Sequence, residues 1–458
     1  MEKLTYFVLV SICVFSLNVN TLEDTPTKSS NVLTIKLKKT TFGMYTLPVN
    51  VGSDNQTYPL ILSTMQPFIS IVSPRVCTMN PPVFSVAKCF HFNNSDSFMY
   101  RVKYPNSFSV KSDQKQINFF HQQSSDVAFF EAYTQIKNNT IYVIQQLLDQ
   151  DSDPYQFFDE TSGIIGFGYN SESKTNKNIL FSTLMLMKIK LNTVLGWGFD
   201  LSSNLLHLGG YLPQEHGEIT WGETQIDFLP EQYEITLFHF SFCGNVILKP
   251  TSSFTFAKID TVSNCLRIPK NILFKNVIEW FPLKCNDSYC EYNEDQPLNL
   301  NDLPSFSFSL SENGKRFFIP LESLYLKGGE FCIIPDNEND YFTFGNLALQ
   351  NFYVAIDINQ KRLGLHQSNS IDTEKNILCS QKKKCIGKQE YYQPSNKCLE
   401  PDCNKFFFHT LDKKKHVCIK KSFFIIFFYS VIVFLFIAEL FVYLKNNTLI
   451  KKIKEKND

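Results

Sequence analysis

Phe254-Thr255-Phe256-Ala257-Lys258-Ile259-Asp260-Thr261-Val262-Ser263 is an apolar-leaning β run that closes in an Asp-Thr-x-Ser turn. A strand ending this way can present one carboxylate to a cleft. Asp and Ser are common turn residues, so the motif alone carries little. Its weight comes from a second copy of the surroundings upstream, where Tyr58-Pro59-Leu60-Ile61-Leu62 runs into Ser63-Thr64-Met65-Gln66. There the acid is missing, and Ser63 stands at its place.

The two copies sit in halves that repeat coarsely. Leu60 to Thr64 is followed by Thr161-Ser162-Gly163-Ile164-Ile165-Gly166-Phe167-Gly168, and Phe256 to Thr261 by Tyr341-Phe342-Thr343-Phe344-Gly345-Asn346. A strand that crosses close behind a tight turn has no room for a side chain, which is why Gly166 and Gly345 are apt there. Two lobes facing one cleft would result. Around these landmarks, short runs alternating at period two predict half-buried strands, as in Val32 to Leu37, Tyr45 to Gly52, Ser107 to Val110, Ile117 to Phe120, Val127 to Tyr133, Glu218 to Trp221 and Ser305 to Leu310. Helical stretches are few: Lys177 to Met187, Pro269 to Glu279, and a piece near Pro320 to Leu324. The profile is all-β with minor helices.

In order and spacing these segments resemble the pepsin-type aspartic peptidases over roughly residues 31–367. Tyr45 to Gly52 with Gln56 to Ser63 resembles the family's opening hairpin, Gly163 to Tyr169 its apolar segment ending in Gly, and Leu208-Gly209-Gly210 the strand closing the first lobe. Tyr233-Glu234-Ile235, Leu303-Pro304-Ser305-Phe306, Phe344-Gly345, Asn351 to Asp357 and Arg362 to Leu365 resemble landmarks of the second lobe. The resemblance implies a bilobal acid-protease fold, with an N-terminal lobe at 31–210 and a C-terminal lobe at 211–367. It also implies a Cys77 to Cys89 bridge in the first lobe, and a bridge from Cys290, or less favourably Cys285, to Cys332 in the second.

The family's chemistry needs two carboxylates that share a proton around one water, one acting as base while the other protonates the substrate carbonyl. By position the retained acid is Asp260 and the lost one is Ser63. A hydroxyl cannot be that base, and no His or Lys in the motif would activate it. Met65 and Val262 replace the glycines that follow Thr in both turns. Phe119, or failing that His121, falls where the family's flap has Tyr. Thr64 and Thr261, whose family counterparts cross-brace the turns, are retained. The expected result is a pseudoprotease that keeps the two-lobed shape.

At 458 residues and 43% apolar composition the chain can build a large core, and its zero net charge gives no reason to expect a nucleic-acid partner. Residues 1–20 read as a signal peptide. Residues 423–444 are apolar enough to cross the roughly 30 Å hydrocarbon core as one transmembrane helix. Residues 445–458 then form a cytoplasmic tail, which makes a single-pass type I protein on the secretory pathway or cell surface. Residues 368–421 are rich in Lys, Gln and Cys and read as a bridged stalk. Of thirteen cysteines, Cys13 lies in the signal. Seven fall in the body and five in the stalk, and odd counts in both require either one bridge between the blocks or two free thiols. No Cys-x-x-Cys pair suggests zinc, and neither metal nor cofactor is expected. Sequons at Asn55, Asn93, Asn138 and Asn286 fit surface glycans.

Three functions compete on this reading. The first is a silent pepsin-fold protein that binds a peptide or protein in its cleft while anchored to the membrane. The second is an active endopeptidase whose first acid comes from elsewhere, Asp54 being nearest. The third is a structural surface glycoprotein with no ligand. An enzyme needs a second carboxylate within reach of Asp260, a binder needs an open groove, and a structural protein would fill the cleft with its own side chains.

Overall fold

The structure, a computed structural model, describes residues 32–52, 56–66, 68–73, 89, 99–100, 106–111, 116–129, 136–147, 160–168, 179–212, 217–222, 233–248, 254–293, 298–326, 328–368, 378–403, 409–420 and 422–454. Strands dominate them, and the expected helices appear as Ile179–Leu191, a helical run from Lys270 to Trp280, and a single turn at Leu321–Leu324.

Each half of the chain builds its sheet around the same five-strand pattern. In the first, Tyr45–Val51 lies antiparallel to Gln56–Ser63, which lies parallel to Gly163–Gly166. That strand is antiparallel to Ile69–Val72, which is parallel to Ile136–Leu147. In the second, Glu234–Phe242, Phe254–Ile259, Phe342–Phe344, Leu266–Pro269 and Ile333–Asp336 repeat the order and every strand direction. The repeat is the bilobal acid-protease architecture anticipated from the two turn motifs. The strand bearing each motif starts near the surface and dives inward. Along Gln56–Ser63 the first two residues are exposed and the last four buried, and along Phe254–Ile259 the last three are buried.

A third sheet joins the halves, in the order Leu33–Lys36, Leu205–Leu208, Gly196–Asp200, Phe352–Asp357, Arg362–Gln367, Thr220–Trp221. Its central contact is Gly196–Asp200 against Phe352–Asp357, antiparallel over five residue pairs. The division at residue 210 therefore separates two stretches of chain but not this sheet.

One hydrophobic core runs through both lobes. Trp197, fully buried in the shared sheet, meets Phe167 edge-on at 5.0 Å and Tyr233 at 5.8 Å. In the second lobe much of the core is built from Phe. Phe240 lies 4.3 Å from Phe342 and Phe242 4.3 Å from Phe306, and Phe308 stacks on Phe317. Alternating with these rings, Ser307 pairs its hydroxyl with Ser241 at 2.7 Å, and Arg316 donates to both. Buried hydroxyls so paired escape most of the desolvation cost.

The cysteine pairing departs from what the resemblance implied. Cys332 bonds Cys265, and Cys285 bonds Cys290. Register explains both. Leu266 pairs with Ile333 in the parallel ladder, bringing Cys265 and Cys332 to a Cα separation of 4.6 Å. Cys285 and Cys290 face each other directly across a short hairpin. Cys89 is disulfide-bonded, while Cys77 lies outside the described residues. Loop entropy predicts unequal contributions. Removing the Cys265 bridge, whose ends lie 67 residues apart, should cost about 4 kcal/mol in denaturant unfolding, against about 2 for the 5-residue Cys285 loop. Equal losses would argue against this pairing.

The odd cysteine counts are reconciled by Cys243–Cys379, which ties the segment after the body back onto the second lobe. Cys385–Cys398 and Cys403–Cys418 close that segment internally. It is docked rather than extended. Ser380 donates to Trp280 O, Gln393 reaches Asn245, and Glu279 pairs with Lys397 at 2.6 Å and Lys383 at 3.0 Å. Burial would raise the Glu279 carboxyl, but the two lysines outweigh it and hold it below the usual glutamate range. A depressed acid stabilises the fold above its unfolded pKa, and that contribution fades only as pH falls through the lowered folded value. The clamp is therefore expected to hold in a mildly acidic compartment. Hydrogen-exchange protection factors across 380–400, corrected for the intrinsic pH dependence of exchange, should match at pH 5 and pH 7 in the unmodified chain, and be lower at both in Glu279→Gln.

Two residues after the last strand of this module, a helix runs from Ser422 to Lys454. Its apolar span, Ile425–Ile450, is 26 residues long and carries none of its surface buried against the protein. The helix thus continues unbroken past the expected end at 444 into the basic tail.

Candidate site at the paired turns

The two motif strands end side by side. Ser63 is fully buried and Asp260 is 8% exposed. Asp260 Oδ1 accepts from the backbone N–H of Val262 at 2.9 Å and of Ser263 at 3.3 Å. In the other lobe Ser63 Oγ accepts from the N–H of Met65 at 3.3 Å. The serine repeats the carboxylate's backbone role two residues on, so the turn persists without the charge.

Between the turns, Thr64 Oγ1 donates to Ile259 O at 2.7 Å and accepts from the Thr261 N–H at 3.2 Å. Thr261 Oγ1 donates to Leu62 O at 2.7 Å and accepts from the Thr64 N–H at 3.1 Å. Both threonines are fully buried. The reciprocal pairing holds residues 63 and 260 at the seam of the lobes, each one residue from the brace.

A glycine stands behind each turn. Gly166 pairs with Ser63 in the parallel ladder, and a Cβ there would lie 2.1 Å from Gln66 O. At Gly345 a Cβ would lie 2.5 Å from Cys265 O. Both clashes are with backbone, which cannot swing aside. Val262 is buried and Met65 half-buried, so the bulk replacing the usual glycines is absorbed in the turns themselves.

Two supports were not anticipated from sequence. Asn346, fully buried beside Gly345, donates through Nδ2 to Thr261 O at 3.0 Å and to Gly43 O at 3.2 Å. It thereby fastens the Asp260 turn to the first lobe. Tyr45 donates to Leu201 O at 3.1 Å and accepts from Gln350 at 2.8 Å. Burial first, then the Asp200 charge, pushes the Tyr45 phenol up to about 12 against the opposing Gln350 bond, so it remains a neutral hydrogen-bond hub. Neither stands in a motif; a polar residue directly after a strand-ending glycine is the one signal that pointed to Asn346.

Phe119 and His121 both lie on Gln116–Phe129, opposite Phe108 and Asn106 of the Asn106–Lys111 strand. That hairpin's first strand ends at Lys111, so both residues belong to its returning arm. Asn138 lies within Ile136–Leu147. Asn286 is exposed on the disulfide-closed hairpin, its Oδ1 accepting from the N–H groups of Ser288 and Tyr289. Asp54, Asn55 and Asn93 lie outside the described residues. No cluster of metal-ligating side chains occurs among the described residues.

A braced pair of turns bearing one carboxylate and one alcohol can hydrogen-bond a ligand and move one proton through Asp260. The profile of the family described as Eukaryotic aspartyl protease matches residues 44–368. Comparison with individually curated proteins gives no match.

Proposed function

The chain belongs to the eukaryotic aspartyl protease family, and from that premise we propose that it is a membrane-anchored member without peptidase chemistry, whose interlobe cleft binds a peptide or protein without cutting it. The observation carrying this reading is the hydroxyl of Ser63 in the backbone role that Asp260 Oδ1 fills in the twin turn. Losing one positioned acid or base typically costs about 10²- to 10⁴-fold, and here the remaining carboxylate also loses its proton-sharing partner. The retained Thr64 and Thr261 brace supports a role for the two-lobed shape itself.

The same proposal places the body on the lumenal or extracellular side, after removal of residues 1–20, with 445–458 in the cytoplasm. Five disulfides among the described residues accord with an oxidising compartment. Glycans at Asn55, Asn93, Asn138 and Asn286 belong to it too, and an unchanged electrophoretic mobility after glycosidase treatment of the cellular protein would count against them.

The decisive test is cleavage of a mixed peptide library at acid pH by the purified full chain, beside Asp260→Ala. No turnover above background by either is expected. Pepstatin-sensitive cleavage by the unmodified protein, absent from Asp260→Ala, would overturn the reading.

A further inference from the structure

Charge is segregated along this neutral chain. Residues 31–378 carry 26 Lys and Arg against 34 acids, whereas residues 379–421 carry 11 lysines against 4 acids. The fold then gathers part of that excess. The hairpin of His409–Asp412 and Val417–Lys420 turns through Lys413, Lys414 and Lys415, all exposed. Its turn packs on the segment bearing Lys384 and Lys388, also exposed. Lys388 donates its backbone N–H to His416 O at 3.0 Å, and a Cβ on Gly387 would lie 2.2 Å from Lys415 O. Lys388 is thus brought against the three turn lysines, and Lys384 lies four residues before it on the same segment.

Of the four acids in 379–421, Asp412 and Glu400 have other work. Asp412 Oδ1 accepts from the N–H groups of Lys414 and Lys415, shaping the turn, and Glu400 Oε1 meets His416 Nδ1 at 2.6 Å and Gln389 Nε2 at 2.9 Å. Among the described residues no carboxylate pairs with the five lysines, in contrast to Lys383 and Lys397, which Glu279 holds.

We propose that this surface docks on anionic phospholipid headgroups of the leaflet that faces it, which on the topology proposed above is the lumenal or extracellular leaflet of the membrane in which the helix is anchored. The choice of a lipid partner follows from connectivity. One residue separates Val417–Lys420 from the helix that begins at Ser422. A four-residue strand spans at most about 13 Å, so the tether lets the hairpin tilt its lysines to within the ~8 Å Debye length of the headgroups. Tethering also makes the encounter intramolecular, so weak individual attractions add. The inference requires the membrane span but not the silent-peptidase reading.

The test uses the full chain in nanodiscs of phosphatidylcholine alone or with phosphatidylserine, reading lysine reactivity toward an amine-acylating reagent by mass spectrometry. Each of the five lysines should be protected up to about fivefold by phosphatidylserine, the equivalent of ~1 kcal/mol per lysine near such a surface. High salt should abolish that protection. Lys383 and Lys397 should not respond to lipid charge. In a Lys413→Gln, Lys414→Gln, Lys415→Gln variant, whose intact Cys403–Cys418 linkage is checked by peptide mapping, protection of Lys384 and Lys388 should weaken. Equal reactivity in both discs at low salt would overturn the proposal. So would protection of the five by added polyglutamate in phosphatidylcholine discs without any response to phosphatidylserine, which would identify a protein-binding face instead.

Discussion

Ser63→Asp is expected to raise acid-pH peptide cleavage over the unmodified chain by roughly 10²- to 10⁴-fold, and the gain should vanish when Asp260→Ala is added. The site is prepared for the new group. The Met65 N–H that now donates to Ser63 Oγ can donate to a carboxylate oxygen, as the Val262 N–H does to Asp260. The threonine brace would set the two acids against each other across the seam, where like charges must share a proton. A sign follows for stability. An acid whose folded pKa is raised by burial and a like charge stabilises most below its unfolded pKa and loses that advantage as pH rises, so the variant should unfold more readily at neutral than at acid pH. Ser63→Asn, with a similar shape and no charge, should gain nothing. A folded Ser63→Asp protein without turnover would mean that this acid alone does not restore cleavage, and would point to Met65, Val262 and the hairpin of Asn106–Lys111 and Gln116–Phe129.

The second large effect lies in the brace. Thr64→Val keeps the volume but removes a donor to Ile259 O and an acceptor for the Thr261 N–H, leaving two buried backbone groups unpaired. At about 1–3 kcal/mol for each, the loss should be roughly 2–6 kcal/mol in denaturant unfolding. Thr261→Val should behave alike, because its bonds to Leu62 O and the Thr64 N–H mirror the first pair. The four bonds belong to one buried network, so the cost of the double variant should differ from the sum of the two by a measurable coupling. Strict additivity would mean that the threonines act separately.

The turns and their backing glycines were readable from sequence because each is a local pattern. A period-two run, an Asp-Thr or Ser-Thr corner and a strand-ending Gly keep their meaning wherever the rest of the chain goes. What depended on distant register was hidden. Nothing near Cys265 announces Cys332, since their meeting is set by Leu266 lying opposite Ile333 in a parallel ladder. Asn346 looks like an ordinary polar residue after a strand, and its hydrogen bond across the lobes to Gly43 O follows only from the assembled seam. The Cys-rich segment was recognisable as a bridged module, but composition could not show that Glu279 and Cys243 press it onto the second lobe.

The sheet beneath both lobes has a consequence for how this protein is made. Gly196–Asp200 has Leu205–Leu208 on one flank, but its other flank stays bare until Phe352–Asp357 has been synthesised. The first lobe therefore leaves the ribosome without a finished floor, and its missing plank arrives shortly before the membrane anchor. Neither half could be cut out as a self-sufficient unit without exposing a raw strand edge.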